Sequence, residues 1–183
     1  MSPRVRKLAL TAHVTSSVGW IGAVLAFLGM SIVGLTSPDE QTVRGVYLVM
    51  EPTAWAVLVP LAFASLVTGI VQGLGTTWGL FRHYWVIFKL ILTVFATAIL
   101  LVYMETFRIM ARIAADPAAD LASVRNASPR FHALLALFVL LVTTLLAIYK
   151  PRGVTAYGRR KQLEQRKRTN AMLPRALRGY NSE

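Results

Sequence analysis

Long apolar runs separated by short charged stretches dominate the chain. Four of them, 8–35, 53–74, 84–104 and 131–149, are about 19 residues or longer, which meets the length a helix needs to cross the hydrocarbon of a bilayer. The pattern predicts an all-α fold, a four-helix transmembrane bundle over residues 1–150, followed by a basic cytoplasmic tail over 151–183. The first run exceeds the apolar region of a secretory signal, contains His13 and Trp20, and lacks an A-x-A cleavage site. It therefore reads as a retained span.

Periodicity extends the third span. Tyr103, Phe107, Met110 and Ala114 form one stripe with Glu105, Arg108 and Arg112 off it, so the helix is expected to continue past the bilayer. Asp116-Pro117 should end it. Asp116 also has the character of an N-cap with Pro117 at the first helical position, which predicts a short second helix toward Arg125 and hence an external helical hairpin lidding the bundle. Lys150-Pro151-Arg152-Gly153 should close the fourth span.

Composition sharpens this picture. Hydrophobic residues make up 55% of the chain and charged ones 15%, a balance that fits an integral membrane protein and neither a soluble domain nor a disordered chain. The absence of cysteine excludes disulfides, thiolate metal sites, iron–sulfur clusters and thiol catalysis. Twenty Lys and Arg residues stand against eight Asp and Glu, and their distribution is uneven. Arg4, Arg6, Lys7, Arg82 and the tail from Lys150 fall on one side. Arg44, Arg108, Arg112, Arg125 and Arg130 fall on the other, diluted by six acidic residues. The positive-inside rule predicts both termini in the cytoplasm, and the expected location is a bacterial cytoplasmic membrane, crossed several times. The tail triplets Arg159-Arg160-Lys161 and Arg166-Lys167-Arg168, with Glu164 and Glu183 as counter-charges, suit either anionic inner-leaflet lipid or a solvated topology anchor. No aromatic platform or groove-reading motif accompanies them, so nucleic acid is not an expected partner.

Each of two spans carries an ionisable residue, His13 in the first and Lys89 in the third. Such groups are costly in hydrocarbon and point to function. Both spans start on the same side, and each residue lies about five positions in, roughly 7 to 8 Å deep at the helical rise. His13, Ser16, Ser17 and Trp20 share a helical face, Trp85, Lys89, Thr93 and Thr97 repeat at i+4, and Ser65, Thr68 and Gln72 line the second span. Three polar faces at one level predict an intramembrane pocket or a hydrogen-bonded seam, with His13, Trp20, Lys89 and Thr93 as its binding residues. Against this stand a snorkelling Lys89 and a His13 that only bonds a neighbouring helix.

A second cluster is expected near the outer ends of the spans. Met30, Met50, Met104 and Met110 lie near His132, and thioethers with imidazole suit copper(I). Methionine equally serves as packing filler, and Glu51, Arg130 and His132 suit an exposed polar rim. No signature of a hydrolase, metalloprotease, P-loop or dinucleotide enzyme is present, so no catalytic residue is assigned.

The stretch from Ala12 to Gly22, the stretch from Trp78 to Leu90 and the closing Tyr149-Lys150-Pro151-Arg152-Gly153 together resemble an uncharacterised family of small bacterial four-span integral membrane proteins. His13 followed by Trp20-Ile21-Gly22, and Lys89-Leu90 in a later span, are more distantly similar to the CopD copper-resistance and HemJ-type protoporphyrinogen oxidase group. That similarity implies haem b ligation at His13, Trp20 and Gly22 as its accompanying motif, and Lys89 as the essential lysine. Three functions are thus expected: binding of haem b or another small cofactor or ion, an accessory subunit docking on another membrane subunit, and CopD-like copper handling.

Overall fold

The computed structural model describes residues 1–76 and 79–172. Trp78 and the tail beyond Met172, with Glu183, lie outside the described residues. The fold is all-α, with four helices long and apolar enough to cross a bilayer. Helix α1 (Pro3–Thr36) starts at Ser2, whose hydroxyl accepts from the Val5 N–H, with Pro3 in the first turn where no donor is needed. Asp39 caps α2 (Glu40–Thr53) through the Thr42 N–H and hydroxyl at 2.9 and 2.6 Å, and these bonds hold its carboxyl below the usual carboxylate range.

The second rod does not stop at Pro52. A π-helical turn over Ala54–Leu58 joins it to α3 (Val59–Gly75), and the Val59 N–H reaches back to the Ala54 carbonyl. Pro52 and Pro60 supply no N–H, and the wider turn between them keeps one continuous rod. The second span thus begins some thirteen residues before the 53–74 run, and most of the expected first loop is helix. Helix α4 (Tyr84–Ala115) continues past the apolar run as the stripe requires, with Tyr103, Phe107, Met110 and Ala114 all buried.

The hairpin beyond α4 differs from expectation. Asp116 accepts from the Ala118 N–H within a turn instead of capping a helix. The short helix, α5 (Leu121–Val124), is one turn long and starts after Asp120. Helix α6 (Ser128–Tyr149) completes the bundle and ends at Lys150, whose φ of 43° is left-handed. The tail then forms α7 (Ala156–Met172).

The spans make a closed ring in chain order, α1 against α2–α3, α3 and α2 against α4, α4 against α6, and α6 against α1. α1 and α4 therefore face each other diagonally across the interior. The start of α1 and the segment that follows α6 lie at one end, with Met1 beside Gly75 and Thr155 bonded to the Arg82 carbonyl. The far half is closely packed around Val43, Tyr47 and Met50, each at most 1% exposed. Gly34 admits the Tyr47 ring, since a Cβ there would lie 3.1 Å from Tyr47 Cζ. The Tyr47 hydroxyl donates to the Asn126 carbonyl and accepts from the Asn126 N–H. Arg44 clasps the hairpin by donating to the carbonyls of Ala114, Asp116 and Ala119. Outward faces carry large apolar side chains such as Leu25, Phe63, Phe95, Val102 and Phe138, all more than 40% exposed. In water this belt would be an aggregation hazard, and in lipid it is the matched solvent contact.

Candidate functional site

At the end where α1 starts and α6 stops the ring opens around a cavity of about 760 Å³. Its walls are largely apolar, with Leu10, Val14 and Val18 on α1 and Trp85 and Leu90 on α4, and small or polar side chains such as Ser17, Ser65 and Gly69 interrupt them. The polar faces read from the sequence form both the cavity and a seam beside it. The Ser17 and Ser65 hydroxyls share a hydrogen bond of 2.8 Å, and Gln72 Nε2 donates to the Ala9 carbonyl at 3.0 Å.

His13 and Lys89 meet in this wall. Lys89 Nζ lies 3.2 Å from His13 Nε2, a contact that crosses the diagonal of the bundle. His13 Nδ1 lies 3.1 Å from both the Ser65 carbonyl oxygen and Thr68 Oγ1. A carbonyl can only accept, and the Thr68 hydroxyl already donates to the Ala64 carbonyl at 2.5 Å. The Nδ1 therefore carries the proton, and Nε2 presents a lone pair to the ammonium. An imidazole whose Nδ1–H is fixed by a backbone carbonyl is held in the tautomer and orientation that leave Nε2 able to bind a metal or accept a proton. Gly69 makes room for it, since a Cβ at that position would lie 3.1 Å from His13 Cε1.

The helix around Lys89 is tied by side chains bonding back one turn. Thr93 donates to the Lys89 carbonyl at 2.8 Å and Thr97 to the Thr93 carbonyl at 2.9 Å. Both threonines are buried, and Thr93 also lines the cavity. The ionisable side chains on the lining are His13, Arg6, Lys89 and Lys150, with no carboxylate among the described lining residues. None of the ion pairs formed among the described residues involves Lys89. An ammonium half-buried beside a neutral imidazole lacks a full counter-charge, which a protein interior ordinarily supplies. The wall is therefore suited to an acidic group.

Trp20 lies elsewhere. It is 2% exposed and, two turns beyond His13, lines a separate void of about 70 Å³ with Phe27, Tyr103 and His132. His132 stacks on Tyr103 with ring centroids 3.9 Å apart, and the Tyr103 hydroxyl donates to Ser128 Oγ at 2.9 Å. His132 Nδ1 bonds back to the Ser128 carbonyl at 2.9 Å. Sequence reasoning missed this aromatic and hydroxyl cluster, because it joins α4 to α6 and has no local period. Of the residues considered for copper, Met50 and Met104 are buried in the hydrophobic core and Met30 packs partly buried against it. Among the described residues no group of three or more His, Cys, Asp or Glu is arranged to hold a metal ion.

His83 precedes α4 and pairs with Val154 in an isolated antiparallel bridge. The Thr155 N–H donates to the Arg82 carbonyl at 3.0 Å, and its hydroxyl donates to the Phe81 carbonyl at 2.7 Å. The segment after the fourth span is thus sewn to the loop that leads into Lys89. Compared with known proteins, the chain matches no protein-family model, no curated protein and no solved structure.

Proposed function

We propose that this chain is an intramembrane binding protein for an amphiphilic cofactor with acidic groups, haem b in first place. The observation that carries the reading is the His13–Lys89 contact of 3.2 Å on the wall of a cavity of about 760 Å³ whose titratable lining is entirely basic. That volume lies within the range of roughly 300 to 1,000 Å³ common for small-molecule sites. The donor set fits haem: with the Lys89 ammonium moved from Nε2 to a propionate, His13 would offer an oriented neutral imidazole nitrogen for iron. Bound haem would supply electron transfer or oxygen chemistry. Within that reading Thr93 holds the α4 backbone at Lys89, and the Ser65 carbonyl holds the His13 tautomer. The Lys and Arg asymmetry supports a bacterial cytoplasmic membrane with the cavity end and both termini on the cytoplasmic side.

The experiment is an absorption spectrum of protein purified gently from haem-replete cells. The reading predicts a b-type spectrum that is abolished by His13→Ala, weakened by Lys89→Met and left nearly intact by His83→Ala. A colourless wild-type preparation would defeat the haem assignment and favour an accessory subunit.

A further inference from the structure

Helix α7 holds two basic triplets, Arg159-Arg160-Lys161 and Arg166-Lys167-Arg168, seven positions apart. At 100° per residue a seven-residue step returns to within about 20° of its origin, so the six cations form three parallel rows over an arc of roughly 220°, in which Glu164 also falls, paired with Lys161 at 2.9 Å. The remaining arc is neutral and carries Gly158, Gln162, Gln165 and Thr169. Gly158 turns that neutral side toward the bundle: its N–H donates to Thr155 Oγ1 at 3.0 Å, and a Cβ there would overlap the Arg82 carbonyl. Beyond that first turn the bundle covers nothing, since residues 162–170 are all exposed.

Two further features identify what meets the basic arc. Tyr157 and Leu163, 53% and 57% exposed, fall within it, and such side chains among cations suit a headgroup layer, where apolar and charged surroundings adjoin. The helix also starts seven residues after α6 ends, and its first turn is pinned to the loop entering α4, which places that turn at the level where the spans leave the bilayer. We propose that the basic face of α7 docks on anionic headgroups of the same bilayer that the bundle spans. The contact is electrostatic, because no apolar stripe is present to insert.

The test uses the full chain, which has no cysteine. Gln165→Cys on the neutral face takes a donor fluorophore, and the protein is reconstituted into vesicles with an acceptor on the headgroups. Energy transfer is expected to be about twofold higher with about 30% phosphatidylglycerol than in pure phosphatidylcholine. The gain should vanish as salt rises from about 0.1 to 1 M, where the screening length falls from roughly 10 to 3 Å. Replacing Arg166, Lys167 and Arg168 together by Gln should remove most of the gain while the bundle melts as in wild type. Equal transfer in the two vesicles overturns the proposal. So does release of α7 from anionic vesicles by a short RNA at equal charge concentration, which would mark a nucleic-acid face.

Discussion

Replacing His13 by Leu and Lys89 by Met, singly and together, measures whether the two residues act as a pair. Their contact joins a neutral acceptor to an ammonium at 3.2 Å, and hydrogen bonds with one charged partner contribute about 1.5 to 3 kcal/mol in proteins generally. Inside membranes such cycles average about 0.6 kcal/mol and reach about 1.7, because unfolded helices find other partners. Both side chains are half-buried and face a cavity, so the expected coupling is about 1 kcal/mol. The single effects should be unequal. His13→Leu strands the half-buried ammonium, at a cost of about 2 to 3 kcal/mol, whereas Lys89→Met removes a poorly compensated charge and should cost less than about 1 kcal/mol. The assay is unfolding by sodium dodecyl sulfate in mixed micelles, followed by tryptophan fluorescence. Additivity within about 0.3 kcal/mol would refute the pair.

Gly69→Leu should push the imidazole off α3 and fill part of the cavity, costing about 1 to 3 kcal/mol and sharply lowering cofactor content; unchanged content would refute the packing argument. Gly158→Val should break the junction between α7 and the Arg82 loop, so limited proteolysis would cut near residues 156–160 faster while the spans melt as before. Single cysteines at Ser2, Gln41, Ser123 and Thr169 should react with an impermeant reagent in intact cells only at 41 and 123, and labelling at 2 or 169 would reverse the orientation.

The spans are legible in the sequence because hydrocarbon imposes a length and an apolar composition that local sequence must satisfy. Counting helical rise from the start of each span likewise puts His13 and Lys89 at one depth. What escapes such a reading is set by other forces. Residues 40–52 carry Glu40, Arg44 and Glu51, so no apolar run marks them, although Val43, Tyr47 and Met50 already follow a helical stripe and are buried. Pro52 and Pro60 read as breaks, and the π-helical turn between them absorbs both. Helix α7 has no apolar face, and rests on the helix propensity of its Lys, Arg, Gln and Glu residues and on Thr155 and Gly158 at its start. A shared helical face assigns Trp20 to the His13 pocket. Seven residues is also a rise of about 10 Å, and that height carries Trp20 to Tyr103 and His132 instead. The acceptor that fixes the His13 tautomer is a main-chain carbonyl, which no side-chain pattern can reveal.

The central claim is that the basic cavity holds an acidic amphiphile at His13 and Lys89. Native mass spectrometry of protein taken directly from its own membranes tests this without presupposing the molecule. The account predicts one bound acidic species per chain, haem b first, with its occupancy lost in Gly69→Leu and strongly reduced in Lys89→Met. Bare protein in every preparation, or a bound species whose occupancy is unchanged by both substitutions, would contradict it.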